Sequence, residues 1–532
     1  MKVRPTVRLA AAALVASLLS GTALAETVLK IVPQADLKNL DPVWTTASIT
    51  QNHGYMVYDV LFAMDSNLQP QPQMVADWSV SDDNLTWTFT LRDGLTFHDG
   101  SPVEASDVVA SIERWAQKRS EGQAMMERMD ELSATDAKTF TMKLNKPFGP
   151  MLQTLAAPTL PLVIMRAEEA ATDPNEQVSE IIGSGPFVFD ADAWVPGDRV
   201  VYRKFEDYVP RDEPSDGFAG GKVVNVDTVE WIYIPDTNTA TQALQSGQVD
   251  VYEIPPMDLV PVLQADPDIT VKVLDTLGKM GHIRPNHLYP PFNDPRARQA
   301  LKLLVDQPEF LAAQVGNPDF ETVCFSVFMC NSAFETDAYS EPYSKPNPER
   351  AKELLAEAGY DFDNPQPLVV MLPTDQQIIY NNILVMVGKL QEIGVNVDAQ
   401  SMDWSTLTSR RARTDDPVES PNVGWHIFPT WWTGVNMASP ITNQPLVTTG
   451  DPVSAWFGWP KDEEIENLRT QFLDAGTEEE QKAVIDALQK RFYEFIPYIN
   501  TGQFLTPVAW RSSVTDVPEA LLFVPWNLKK ES

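Results

Sequence analysis

Ala76-Asp77-Trp78-Ser79-Val80-Ser81-Asp82-Asp83-Asn84-Leu85-Thr86-Trp87-Thr88-Phe89-Thr90-Leu91-Arg92-Asp93-Gly94-Leu95-Thr96-Phe97-His98-Asp99-Gly100 is the stretch whose reading decides the fold. From Thr86 to Leu91 threonines alternate with Trp87, Phe89 and Leu91, the period of a half-buried strand. Arg92-Asp93-Gly94 supplies turn chemistry, so a hairpin continuing into Leu95 and Phe97 is expected. Immediately after it, Ser101-Pro102-Val103-Glu104 has capping-box spacing with Pro in the first turn. Val108, Val109, Ile112 and Trp115 then recur at helical spacing, which predicts a helix to about Gln117.

Outward from this stretch, strand and helix signals keep alternating. Strands are expected at 139–144, 187–189, 200–203, 229–234 and 271–274. Asn347-Pro348-Glu349 opens a helix as cap, first-turn Pro and first-turn acid, and Gly359 closes it. A strand at 368–372, a helix at 378–393 and a strand at 395–399 form a strand-helix-strand order that implies parallel pairing. Thr477 and Glu480 make a further capping box before a long helix. The pattern is mixed α/β with more than one sheet.

The chain has 532 residues, 43% hydrophobic and 21% charged, enough for a large core. Its formal charge of -34 repels phosphate backbones, so nucleic acid is excluded as a partner. Lys2, Arg4 and Arg8, an apolar stretch from Leu9 to Ser20, and Ala23-Leu24-Ala25 read as a secretory signal cleaved after Ala25. No later apolar run approaches a membrane span, and no cysteine near the cleavage site offers a lipid anchor. The reading is an exported periplasmic protein. In that oxidising compartment Cys324 and Cys330 are expected to pair, because no His or second Cys pair nearby completes a metal site.

Catalytic signatures are missing. There is no His-Glu-x-x-His and no Gly-x-Ser-x-Gly, and His53, His98, His282, His287 and His426 are scattered. No metal site, cofactor or enzymatic activity is expected. Gly183-Ser184-Gly185-Pro186 lacks a phosphate-binding Lys and reads as a crossover turn between lobes.

Residues 76–100 resemble the signature of the periplasmic peptide/opine/nickel-binding proteins of ABC importers. Supporting matches follow at Asp107-Val108-Val109, Gly183-Ser184-Gly185-Pro186-Phe187, 244–250, 286–301 and 351–360. The resemblance implies a two-lobed α/β binding protein of the large class with an extra subdomain inserted in the first lobe. Residues 26–70, 180–275 and 498–532 would form lobe I, 71–179 the inserted subdomain, and 276–497 lobe II. It also implies a monomer that closes on a small solute and hands it to membrane permease subunits.

Residues 424–450 contain no Asp, Glu, Lys or Arg, and Trp425, Trp431, Trp432, Trp456 and Trp459 crowd into and just beyond them. Gly, Pro, Thr and Asn in this run suggest an aromatic loop facing a cleft, with core packing as the alternative. In the peptide binders it resembles, this segment carries an acidic residue for the ligand amine, and here it carries none. From family topology and residue character, lobe I contacts are expected from Thr46, Asn52, His53, Tyr55 and Ser184. Lobe II contacts are expected from Asn286, Trp425, His426, Trp431 and Trp432, with Arg284 placed to hold a ligand carboxylate. The solute is a short peptide or related amino compound. An opine, oligosaccharide or aromatic compound is the alternative, and a secreted hydrolase with an acidic pair the rival class.

Overall fold

The computed structural model describes residues 26–452 and 454–531, so the expected signal and its cleavage site lie outside the described residues. Two large sheets organise the chain. A seven-stranded sheet runs in the order Ile269–Val273, Pro507–Arg511, Val251–Tyr252, Val28–Val32, Thr228–Ile232, Arg199–Lys204, Phe187–Phe189. A six-stranded sheet runs Glu321–Thr322, Ile499–Phe504, Lys279–Pro285, Ile427–Thr433, Leu368–Pro373, Val397–Met402. Each sheet is the centre of one lobe.

The chain passes between the sheets twice, and the two passages lie side by side. Val273 pairs with Pro507 in the first sheet, while Lys279 pairs with Phe504 in the second. Residues 274–278 and 505–506 therefore form the hinge. Gly278 turns there at φ +73°, where a Cβ would fall 2.6 Å from the Phe504 carbonyl oxygen. The expected lobe boundary at 498 is corrected, because Ile499–Phe504 pairs along Lys279–Pro285 and belongs to the second sheet.

The opening stretch builds a separate antiparallel sheet of four strands, Val75–Val80, Thr86–Leu91, Thr139–Leu144 and Met129–Ala134 in spatial order. Phe89 and Phe140 stack across it at 4.9 Å. The expected hairpin into Leu95 and Phe97 does not form, because Thr86–Leu91 pairs instead with the preceding strand and with Thr139–Leu144. The helix after it is present as Ala105–Ala116, but its capping box joins Glu104 to Asp107 rather than Ser101 to Glu104. Ser101 is drawn away by Asp99, whose carboxylate accepts from both its N–H and its hydroxyl.

Elsewhere the periodicities hold closely. Pro348–Glu357 is capped by the Asn347 side chain, and Glu478–Phe495 carries the Thr477/Glu480 box. Leu368–Pro373 and Val397–Met402 are parallel with the helix Gln377–Glu392 between them. The aromatic segment departs from expectation: Ile427–Thr433 is an interior strand between Lys279–Pro285 and Leu368–Pro373, not a loop. Buried on both faces, such a strand needs no polar alternation and gives no period-two signal.

Candidate functional site

Val28–Val32, Thr228–Ile232 and Val251–Tyr252 are the parallel strands of the first sheet, and Leu368–Pro373, Val397–Met402 and Ile427–Thr433 those of the second. The residues just past their carboxyl ends face each other across the lobes. Gln34 and Tyr233 from the first meet Asp375, Gln376 and Trp404 from the second. Open α/β sheets bind ligands at this end of their strands. The lobes touch here through Tyr233 OH donating to Asp375 Oδ2 at 2.8 Å, Lys38 paired with Asp403 at 2.7 Å, and Ser405 donating to the Asp36 carbonyl at 2.8 Å.

Between these contacts lies a narrow compartment of about 20 Å³, lined by Thr46, Gln51, Arg411, Trp431, Trp432, Asn436 and Trp456 among others. No acidic residue lines it. Arg411 is 1% exposed, its guanidinium lies 4.9 Å from the Phe457 ring and 5.6 Å from Trp456, and burial lowers its pKa to about 9. Its hydrogen bond is to Thr46 Oγ1 at 3.1 Å, and Trp456 Nε1 reaches the same oxygen at 3.1 Å. Among the described residues Arg411 forms no ion pair.

Three donors here have no partner: Arg411 Nε, Asn436 Nδ2 and Trp432 Nε1. Asn436 spends its oxygen on Thr159, at 3.0 Å, and Thr433, at 2.7 Å, which leaves its amide nitrogen free. Buried donors without acceptors each cost about 1–3 kcal/mol. The compartment is therefore short of acceptors.

Of the residues expected from sequence, Thr46, Trp431 and Trp432 line this compartment. The others are placed elsewhere, in packing and hydrogen bonds of their own, with Asn52 Oδ1, His53 Nε2 and Trp425 Nε1 left unpartnered. His53 is fully buried, bonds Tyr202 OH at 2.9 Å and is pushed by burial to about 3. Tyr55 stacks on Phe218 and donates to the Pro158 carbonyl, and Asn52 donates to Glu253; both line a cavity inside the first lobe. Ser184 accepts from the Asp59 N–H at 3.1 Å, and Gly183 and Gly185 lie against Val57 and Tyr58, too close for a Cβ, within one lobe rather than between lobes.

In the second lobe, Arg284 is fully buried and donates to the carbonyls of Phe457, Pro445, Pro497 and Trp456, so four of its five N–H groups are already spent within the lobe. Asn286 donates to the Trp425 carbonyl, His426 Nδ1 accepts from the Val369 N–H at 2.9 Å, and Trp425 is fully buried against Phe428 and Trp459. These three hold the strand ends together. Sequence reasoning misses Arg411, Gln34 and Gln51, and takes Asn436 only as part of the uncharged run 424–450. The one available signal was a cation, Arg411, at the C-terminal cap of the helix Trp404–Arg410, whose first residue is aromatic.

Cys324 and Cys330 are bonded. Among the described residues no cluster of His, Cys, Asp and Glu is arranged to hold a metal, and no helix is long and apolar enough to cross a membrane.

This architecture, two sheets with facing carboxyl ends and an adjacent double hinge, defines a two-lobed solute-binding class. The chain belongs to the bacterial extracellular solute-binding proteins, family 5, whose model matches residues 69–450. It is 42% identical over 499 residues to a probable peptide ABC transporter periplasmic-binding protein, y4tO, of Sinorhizobium fredii, covering 93% of this chain and 92% of that protein. Solved structures share the fold at lower identity. AgaA from A. tumefaciens R10, in complex with agropinic acid, matches with TM-score 0.77 at 22% identity over 95% of this chain and 99% of that one. DppA from Helicobacter pylori, in complex with the peptide STSA, matches with TM-score 0.76 at 20% identity over the same shares.

Proposed function

We propose that the chain is the periplasmic binding component of an ABC importer, capturing a short peptide or related amino compound whose carboxylate lies at Arg411. The observation that carries this reading is the surplus of donors, Arg411 Nε, Asn436 Nδ2 and Trp432 Nε1, in a compartment without an acid. A carboxylate brings acceptors and a negative charge to all three, and charge-assisted bonds are about twice as strong as neutral ones. An oligosaccharide, whose hydroxyls need acceptors as well as donors, suits the surplus less well.

Capture follows from the placement of these groups on both lobes. Thr46 belongs to the first lobe and Arg411, Asn436 and Trp456 to the second, so a solute among them gains most when the hinge at 274–278 and 505–506 is closed. A ligand shifts such an equilibrium only by its differential affinity for the closed form. The released solute is chemically unchanged and passes to the permease. The relative from Sinorhizobium fredii supports the peptide assignment. Export with cleavage after Ala25, a monomeric state and the insertion of 71–179 as a subdomain of the first lobe belong to the same proposal.

The test is a thermal-shift series on protein starting at Glu26, unfolded and refolded to remove carried-over solute. Binding to the folded form alone stabilises by about 2.7 kcal/mol at a hundredfold excess over Kd. Free peptides are expected to raise Tm and their C-terminal amides to do so far less. Equal shifts from acid and amide, or shifts from sugars alone, overturn the reading.

A further inference from the structure

A second, larger compartment of about 340 Å³ lies between the lobes, within the size range of small-molecule pockets. It shares a wall with the first, since Thr159 lines the second, Asn436 lines the first, and the two are hydrogen-bonded at 3.0 Å. Met64 and Ala157 contribute its apolar lining from one side, and Phe334, Val435, Ile441 and Phe472 from the other. One ionisable side chain is in that lining, Glu121.

Glu121 is 3% exposed. It accepts a hydrogen bond from Ser120 Oγ at 2.9 Å and, among the described residues, forms no ion pair. The cations that face it are committed elsewhere. Arg119 donates to the carbonyls of Pro42, Val43 and Thr45, and Arg469 donates to the Pro440 carbonyl and pairs with Glu466. A buried carboxylate without a cation is costly, and burial raises Glu121 to about 7 against the weaker pull of Arg119 and Arg469.

We infer that this compartment is the specificity pocket of the solute site, receiving an apolar side chain together with its adjacent primary amine, whose ammonium pairs with the Glu121 carboxylate. The inference rests on the reading that the solute lies between the lobes with its carboxylate at Arg411. The two ends are complementary to a dipolar solute: donors and a cation in the narrow compartment, one acid in an apolar chamber in the wide one. Glu121 is the one acid in the lining of either compartment.

The experiment is calorimetric titration of Leu-Gly-Gly, N-acetyl-Leu-Gly-Gly, Gly-Gly-Gly and Leu-Gly-Gly amide into wild-type protein and Glu121→Gln. Acetylating the amine or removing the leucine side chain is expected to weaken binding to wild type by about tenfold or more. In Glu121→Gln the penalty for acetylation should disappear. Between pH 5.5 and 7 the amine stays protonated and Arg119, lowered by burial to about 10, stays charged, so ionisation of Glu121 should raise wild-type affinity for Leu-Gly-Gly by about tenfold, a gain absent from the variant. Equal binding of acetylated and free peptide, or an equal loss of both in Glu121→Gln, overturns the inference. If amidation weakens binding but acetylation does not, the Arg411 reading stands and the Glu121 one falls; binding by none of the four overturns both.

Discussion

Arg284 and Arg411 are both buried, both packed against the Trp456 ring, and both lowered by burial to about 9. Arg284 gives its hydrogens to four carbonyl oxygens. Arg411 has one hydroxyl and an idle Nε. Trp425 and Trp431 differ instead in exposure: Trp425 is enclosed by Phe428 and Trp459, whereas Trp431 is half-buried at the cleft with Lys279 5.1 Å from its ring. Burial alone does not distinguish scaffold from site. Nor does a single unpaired atom, since Trp425 Nε1 and Arg119 Nε lack partners within the scaffold too; what marks the narrow compartment is that three unpaired donors converge there with no acid in its lining.

The largest expected effect belongs to the scaffold. Burial lowers His53 to about 3 and His98 and His426 to about 4, and holds His282 and His287 well below the ordinary value. All five are neutral when folded and take up protons when unfolded below about pH 6.5, so stability present at pH 7 is lost as pH falls toward the folded values. Each contributes about 1.4 kcal/mol per pH unit. Urea midpoints at pH 7 and pH 5 should show a large decrease, and an unchanged midpoint would mean the histidines are not buried neutral. None of the five lines the narrow compartment.

Next come the paired substitutions. Arg284→Ala and Trp425→Ala should each cost about 3–5 kcal/mol of stability, one by orphaning carbonyls and the other by opening a cavity. Arg411→Ala should change stability by less than about 1 kcal/mol, since removing an unpaired buried charge relieves its own penalty, and Trp431→Ala, at a half-buried ring, should cost less than Trp425→Ala. Affinity should respond in reverse, with Arg411→Ala losing about a hundredfold through charged hydrogen bonds worth about 1.5–3 kcal/mol. Chemical denaturation and titration of the same four variants separate the two groups. Replacing Cys324 and Cys330 together by serine should cost about 2 kcal/mol of stability, less than either scaffold substitution, with no change in affinity.

The sequence exposed the elements whose signals are local. Thr86–Leu91, Pro348–Glu357 and Glu478–Phe495 announced themselves through alternation or caps. Ile427–Thr433 did not, because an interior strand of Pro, Thr and Trp looks like a loop until its neighbours Lys279–Pro285 and Leu368–Pro373 are known. The site was legible in part. Thr46, Trp431 and Trp432 carried chemistry at positions suggested by topology, whereas His53, Tyr55, Arg284 and Asn286 carried equally suggestive chemistry that the core consumes. Whether a donor is spent depends on residues hundreds of positions away, as Arg411 depends on Thr46, and one-dimensional spacing does not record it.

The central claim is tested most directly by a double comparison: titration of one tripeptide, as free acid and as C-terminal amide, into wild-type protein and Arg411→Ala. The expected result is that amidation costs wild type about a hundredfold in Kd and costs the variant almost nothing, because the carboxylate and the guanidinium are each other's partner. Equal penalties for amidation in the two proteins would contradict the account.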